Sequence, residues 1–193
     1  MKRDWSPFRI LPNGERPAAP RPMQTHDGIV DRLRAAAFAE IQAREAFLWA
    51  AERFTDAPAE LRDAWIRLAR EEEKHLGWLL SRMRDLGHSP DEVGVSDQLW
   101  HSFMKCETAK QFSIYMATAE ERGRRAGERF GQGLAGVDPV SAKIFETIAI
   151  EEVGHIRLAQ KFFPEDFAEE LAQRVPATVS GSQNRKALGS ADA

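Results

Sequence analysis

The chain is poor in several features that would point elsewhere. Its one cysteine, Cys106, leaves nothing to form an intrachain disulfide. No hydrophobic run approaches the roughly 18 residues that a membrane helix needs. Neither sign of charge dominates: 27 Lys and Arg against 30 Asp and Glu leave a net charge of -3, so composition gives no nucleic-acid footprint. The first residues, Met1-Lys2-Arg3-Asp4-Trp5-Ser6-Pro7, carry charge and an early proline, unlike a signal peptide, and the cytoplasm is the expected location. Tyr115 is the only tyrosine. With 193 residues, 42% of them apolar, the composition fits one ordinary domain with enough apolar content for a core.

The chain does contain an internal repeat. Ala69-Arg70-Glu71-Glu72-Glu73-Lys74-His75 and Ala149-Ile150-Glu151-Glu152-Val153-Gly154-His155 share Ala, Glu, Glu and His at an offset of 80 residues. On a helix, residues three apart lie on one face, so Glu72 with His75, and Glu152 with His155, can each chelate a metal. Glu40 and Glu120 each stand 32 residues before the Glu of the corresponding Glu-x-x-His. The repeat is therefore a helix carrying Glu, a turn, and a helix carrying Glu-x-x-His, which is the ligand set of two-metal carboxylate sites in four-helix bundles.

Hydrophobic periodicity places these residues on inward stripes. Five of the ten prolines fall in residues 1–26, marking a proline-rich extended arm. Helix one is expected from N-cap Asp27 to about Phe54, with Leu33, Ala37, Glu40, Phe47 and Ala50 facing inward. Asp56 is suited to cap helix two, about 57–86, whose stripe includes Leu61, Trp65, Leu68, Glu72, His75, Leu79 and Met83. A crossover over 87–107, with a short helix around Val95 to Met104, leads to helix three, about 109–131, opened by the capping-box pair Thr108 and Gln111. Its stripe holds Phe112, Met116, Glu120, Gly123, Gly127 and Phe130. Asp138 and Pro139 open helix four, which carries Phe145, Ile148, Glu152 and His155 inward. A short amphipathic helix from Glu165 to Arg174 closes a bundle spanning 27–174, and 175–193 reads as a loose tail.

Register supports the grouping. In an antiparallel pair, residues at one height are equidistant from the turn. The midpoints between Glu40 and the 72/75 pair, and between Glu120 and the 152/155 pair, fall in the two proposed turns. Glu45 would miss by about five residues, roughly 7.5 Å along the axis, and Glu121 points about 100° away from Glu120. Four carboxylates and two neutral imidazoles balance two divalent cations, and an oxygen and nitrogen donor set without thiolate suits iron or manganese, singly or mixed, while also admitting zinc. Arg44 and Arg124, each four residues after a proposed ligand, either orient carboxylates or meet an anionic substrate, or are solvated; Tyr115 either donates an electron or hydrogen bond, or packs. His26, His88 and His101 lack ligand spacing.

The paired motifs resemble the ferritin-like di-iron carboxylate superfamily. Further stretches, Phe54-Thr55-Asp56-Ala57-Pro58-Ala59-Glu60, the arm Pro7-Phe8-Arg9-Ile10-Leu11-Pro12, and Glu152-Val153-Gly154-His155, look like a bacterial ferritin-like family of unknown function. That family is distantly similar to di-iron hydroxylases acting on modified tRNA. The resemblance covers about residues 5 to 163. It implies an all-α, ferritin-like four-helix bundle with a long crossover between helices two and three, and two iron ions with Glu72 and Glu152 as bridging carboxylates. It further implies oxygen chemistry on an organic substrate fed by an electron donor. A homodimer is the expected assembly. Iron storage in a hollow oligomer and a metal-free interaction bundle are the alternatives.

Overall fold

A computed structural model describes residues 3–12 and 14–174, and the loose tail expected over 175–193 lies outside them. Four long helices carry the structure: α1 (His26–Arg53), α2 (Ala59–Asp85), α4 (Ala109–Leu134) and α5 (Pro139–Phe162). Two short ones, α3 (Gln98–Phe103) and α6 (Pro164–Arg174), lie in the crossover and after α5. No helix among the described residues is long and apolar enough to cross a membrane.

The ends of the helices follow from local chemistry. Thr25, not Asp27, caps α1: its hydroxyl accepts the Gly28 N–H at 3.0 Å, while Asp27 falls in the first turn and pairs with Arg21. Asp56 likewise does not cap α2, which starts after Pro58, whose carbonyl accepts the Leu61 and Arg62 N–H groups. Proline already has the fixed φ this entry needs. Thr108 caps α4 as expected, but the Gln111 side chain reaches back one residue further, to the Glu107 N–H at 2.9 Å. Asp138 caps α5 by accepting the Ser141 N–H, with Pro139 in the first turn. At the other end of α2, Gly87 takes φ +79°, and the Gly87 and His88 amides return to the Arg84 and Met83 carbonyls, the closure that favours glycine.

The long helices form two hairpins, α1–α2 and α4–α5, each joined by a short turn and closely packed. Glu60 at the start of α2 pairs with Lys161 at the end of α5, and Arg82 at the end of α2 pairs with Asp138 before α5, so α2 and α5 are antiparallel. It follows that α2 and α4 run the same way, and the chain must climb the length of the bundle between them. Residues 86–108 do this, carrying α3 against α1 and α4. The arm lies on the same region. Trp5 and Phe8 are buried against Phe38 and Trp100, and the Leu11 and Val95 amides bond the Val95 and Arg9 carbonyls, clipping arm to crossover.

The stripes largely match the buried face. Leu61, Trp65, Leu68, Leu79 and Met83 of α2 are buried, as are Leu33, Ala37, Phe47 and Ala50 of α1. Gly123 departs from the expectation: it is exposed, beside a gap between α1 and α4, which touch each other sparsely. Gly127 and Gly131 are buried in α4, and a Cβ at 127 would meet the Phe145 carbonyl oxygen at 3.2 Å. Glycine there lets α4 approach the backbone of α5.

Candidate metal centre

Midway along the bundle, six polar side chains turn inward from the four long helices. Glu40 comes from α1, Glu72 and His75 from α2, Glu120 from α4, and Glu152 and His155 from α5, and all six are buried, His75 and Glu72 completely. Such burial of carboxylates costs several kcal/mol each unless a partner compensates. The structure arranges them in two overlapping groups, Glu40, Glu72, His75 and Glu152, and Glu72, Glu120, Glu152 and His155, each offering ligand atoms within 4.8 Å of one another. Glu72 and Glu152 belong to both.

The two imidazoles are oriented from outside the cluster. His75 Nε2 lies 2.7 Å from Glu151 Oε2, and His155 Nε2 lies 3.0 Å from Glu71 Oε2. An ionised carboxylate only accepts, so both Nε2 atoms carry the proton and donate it. Both Nδ1 atoms therefore face the cluster, and in the neutral ring, the form that binds a metal, each presents its lone pair there. His155 Nδ1 stands 2.8 Å from Glu72 Oε1 and 3.0 Å from Glu152 Oε2, and His75 Nδ1 stands 3.5 Å from Glu152 Oε1 and 3.8 Å from Glu40 Oε2. Despite this proximity, both Nδ1 atoms, both Glu72 oxygens, Glu120 Oε1 and Glu152 Oε2 have no hydrogen-bond partner. The carboxylate and imidazole atoms thus converge on shared points with hydrogen-bonding capacity left unfilled, the arrangement expected of ligands around cations.

Electrostatics agree. Burial, reinforced by Glu72, pushes the Glu40 carboxyl well above the ordinary carboxylate range, and burial with Glu152 and Glu72 does the same to Glu120. Burial opposes ionisation of Glu72 and Glu152 too, but the two histidines outweigh it and hold both below the ordinary value. Burial alone would lower the His155 pKa, yet Glu152 and Glu72 push it up to about 12, and the carboxylates around His75 raise it further above its usual value. Without a cation the negative cluster retains protons on these groups, and metal ions would displace them. The residues present therefore fit a pair of divalent cations.

Other candidates sit outside the cluster. Glu45 pairs with Arg3 and Arg44, and Glu121 with Arg124 and Arg125, as their positions on the helix require. Arg44 also meets Glu73, and Arg124 also meets Glu128, so both arginines serve surface ion pairs. Tyr115 packs edge-on to Phe103 at 5.5 Å. His26 lies tilted against the His88 ring and bonds the Leu86 carbonyl, and His101 pairs with Asp97. Reasoning from the sequence overlooked Glu71 and Glu151 as the residues that orient the histidines. Their signal was present: they are the first Glu of each duplicated Glu-Glu-x-x-His.

An all-helical bundle with a buried carboxylate and histidine cluster between its two hairpins is a ferritin-like architecture. Over 75% of this chain and 89% of the other, it resembles the bacterioferritin-related protein of Bacteroides fragilis, described as a dodecameric thioferritin, with a TM-score of 0.62 and 20% sequence identity. Residues 8–177 match the family described as protein of unknown function (DUF455), and the chain belongs to that family. No curated protein matches it.

Proposed function

We propose that the chain is a di-iron carboxylate oxidoreductase that activates dioxygen against an organic substrate. Glu40 and His75 would hold one ion, Glu120 and His155 the other, with Glu72 and Glu152 bridging the two. The observation that carries this reading is the pair of overlapping donor groups whose inward atoms are buried and unpartnered. Two ferrous ions, when bound, would supply the electrons for reducing dioxygen. Manganese, alone or mixed with iron, suits the same donors. The chain's own part is to aim both Nδ1 atoms at the ions through Glu71 and Glu151, to exclude water with apolar walls, and to leave one side of the centre open toward apolar space between α1 and α4. That open side favours an organic substrate over storage alone. A metal-free interaction bundle would keep this cluster buried with retained protons in place of cations, a cost that packing alone gives no reason to bear.

Anaerobic titration with ferrous iron tests the centre. Two ions should bind per chain, and fewer in a Glu72→Ala, Glu152→Ala variant. A folded parent with no saturable binding would end the di-iron reading. Oxygen uptake in the presence of a reductant then separates turnover from storage: consumption well beyond the bound iron supports catalysis, whereas uptake limited to the iron supplied supports storage. Storage also requires a large hollow assembly, and a monomer or dimer by light scattering would remove it.

A further inference from the structure

The side of the centre that faces α1 and α4 is lined by a cavity of about 290 Å³. Its walls are unusually plain. Ala39 and Ala43 of α1, Ala119 and Gly123 of α4, Phe103 of α3 and Ile148 of α5 are typical of them, and among the described residues the only charged groups in the lining are Glu40, Glu120 and Glu152 of the cluster itself. Among the described residues, no arginine, lysine, hydroxyl or amide side chain lines it. Glu120 is 8% exposed and its Oε1 has no hydrogen-bond partner. The cavity thus joins apolar walls to an unpartnered buried carboxylate, while the roomier grooves beside Trp78 and Lys143, and beside Cys106 and Lys110, contain no cluster residue.

The mouth is set by small side chains. Ala35 and Gly123 are exposed at the gap between α1 and α4, and a Cβ at Gly123 would meet nothing within 4 Å. Gly123 follows Glu120 by three residues, so a side chain placed there would project from the same face, over the entrance.

We propose that this cavity is the substrate site, and that it accepts a small, uncharged, apolar organic group entering between α1 and α4 past Ala35 and Gly123. A charged substrate group would leave water for walls that offer it no partner, a loss that apolar contact does not repay. A cation would instead compete for the carboxylates that hold the metals. The volume is near the lower end of ligand pockets, about 300 Å³, so the group that enters is small. The chemistry done on it rests on the di-iron reading; its binding does not.

The test uses full-length protein, with and without ferrous iron under anaerobic conditions, and 1-octanol as probe, followed by calorimetry. Octanol should bind saturably, octanoate and octylammonium at least tenfold more weakly. Gly123→Leu should reduce octanol affinity at least tenfold while the iron stoichiometry stays that of the parent. Ala39→Leu, on the opposite wall, gives the same readout should Gly123→Leu fail to fold. The proposal falls if octanol does not bind the parent, if octanoate binds equally well, or if a folded blocking variant binds octanol as the parent does. Octanol binding without iron binding would uphold the cavity and sink the di-iron reading; iron binding without octanol binding would do the reverse.

Discussion

At the scale of single residues, the least expected feature is the exchange of carboxylates between the repeats. Glu71 stands on α2 but orients His155 of α5, and Glu151 stands on α5 but orients His75 of α2. Replacing either by Gln removes the charge and leaves the ring free to present the wrong nitrogen. Partners of this kind typically contribute 10–100-fold to metal affinity. Glu71→Gln and Glu151→Gln should each weaken iron binding by about that factor with little change in the melting temperature of the metal-free protein, read by competition with a chelator. A variant binding as tightly as the parent would show that the hydrogen bond does not set the tautomer. Trp78 offers a reporter, since its ring lies 5.5 Å from that of His75. Iron should quench fluorescence less in Trp78→Phe than in the parent. The six inward residues were legible because spacing alone puts them on stripes at one height. Glu71 and Glu151 were not, because their targets lie on another helix, and that contact exists only once α2 and α5 are known to be antiparallel neighbours.

At the scale of elements, two glycines four residues apart should behave oppositely. Gly123→Ala adds a methyl group to open space and should stabilise α4 by up to about 1 kcal/mol, the usual difference between these residues inside a helix. At Gly127 the neighbour is the Phe145 backbone carbonyl, which cannot swing aside. Gly127→Leu should therefore cost roughly 1–3 kcal/mol through overpacking against α5, seen as a lower denaturant midpoint with unchanged slope. Equal effects at the two positions would contradict the helix packing described above. Helix existence was readable from periodicity throughout, whereas the caps of α1 and α2 were not. Thr25 and Asp27 are both good caps, and Asp27 is diverted by Arg21, a residue of the arm whose position local sequence does not reveal. The gap between α1 and α4 was equally hidden. Gly123 lies on the same stripe as Glu120, and only the separation of the helices distinguishes a mouth from a core.

At the scale of the whole molecule, the centre ties stability to pH and to metal. In the metal-free protein Glu40 and Glu120 keep protons above the ordinary 4.5, and His155 keeps one from 6.5 up to about 12. The folded chain then binds more protons than the unfolded one, so this stability is present at low pH and is lost as pH rises. Each excess proton contributes a slope of about 1.4 kcal/mol per pH unit. Glu72 and Glu152, held below 4.5, act in the other sense, and their contribution is lost only as pH falls under that value. The chelated protein should therefore melt at progressively lower temperature between about pH 6.5 and 9, while the gain from added iron grows across the same range, because the ions replace the retained protons. A melting temperature of the chelated form that is flat or rises with pH would argue against the buried, metal-free cluster as described.

The crossed pairing of Glu71 with His155 and Glu151 with His75 also bears on ancestry. The two hairpins, offset by 80 residues, read as copies of one ancestral helical hairpin joined by duplication. Two such hairpins meeting across a twofold axis would already have had each histidine steadied by the other copy. Fusion would then have freed the copies to diverge, as Glu73-Lys74 against Val153-Gly154 illustrates, while the residues each half lends to its twin stayed the same.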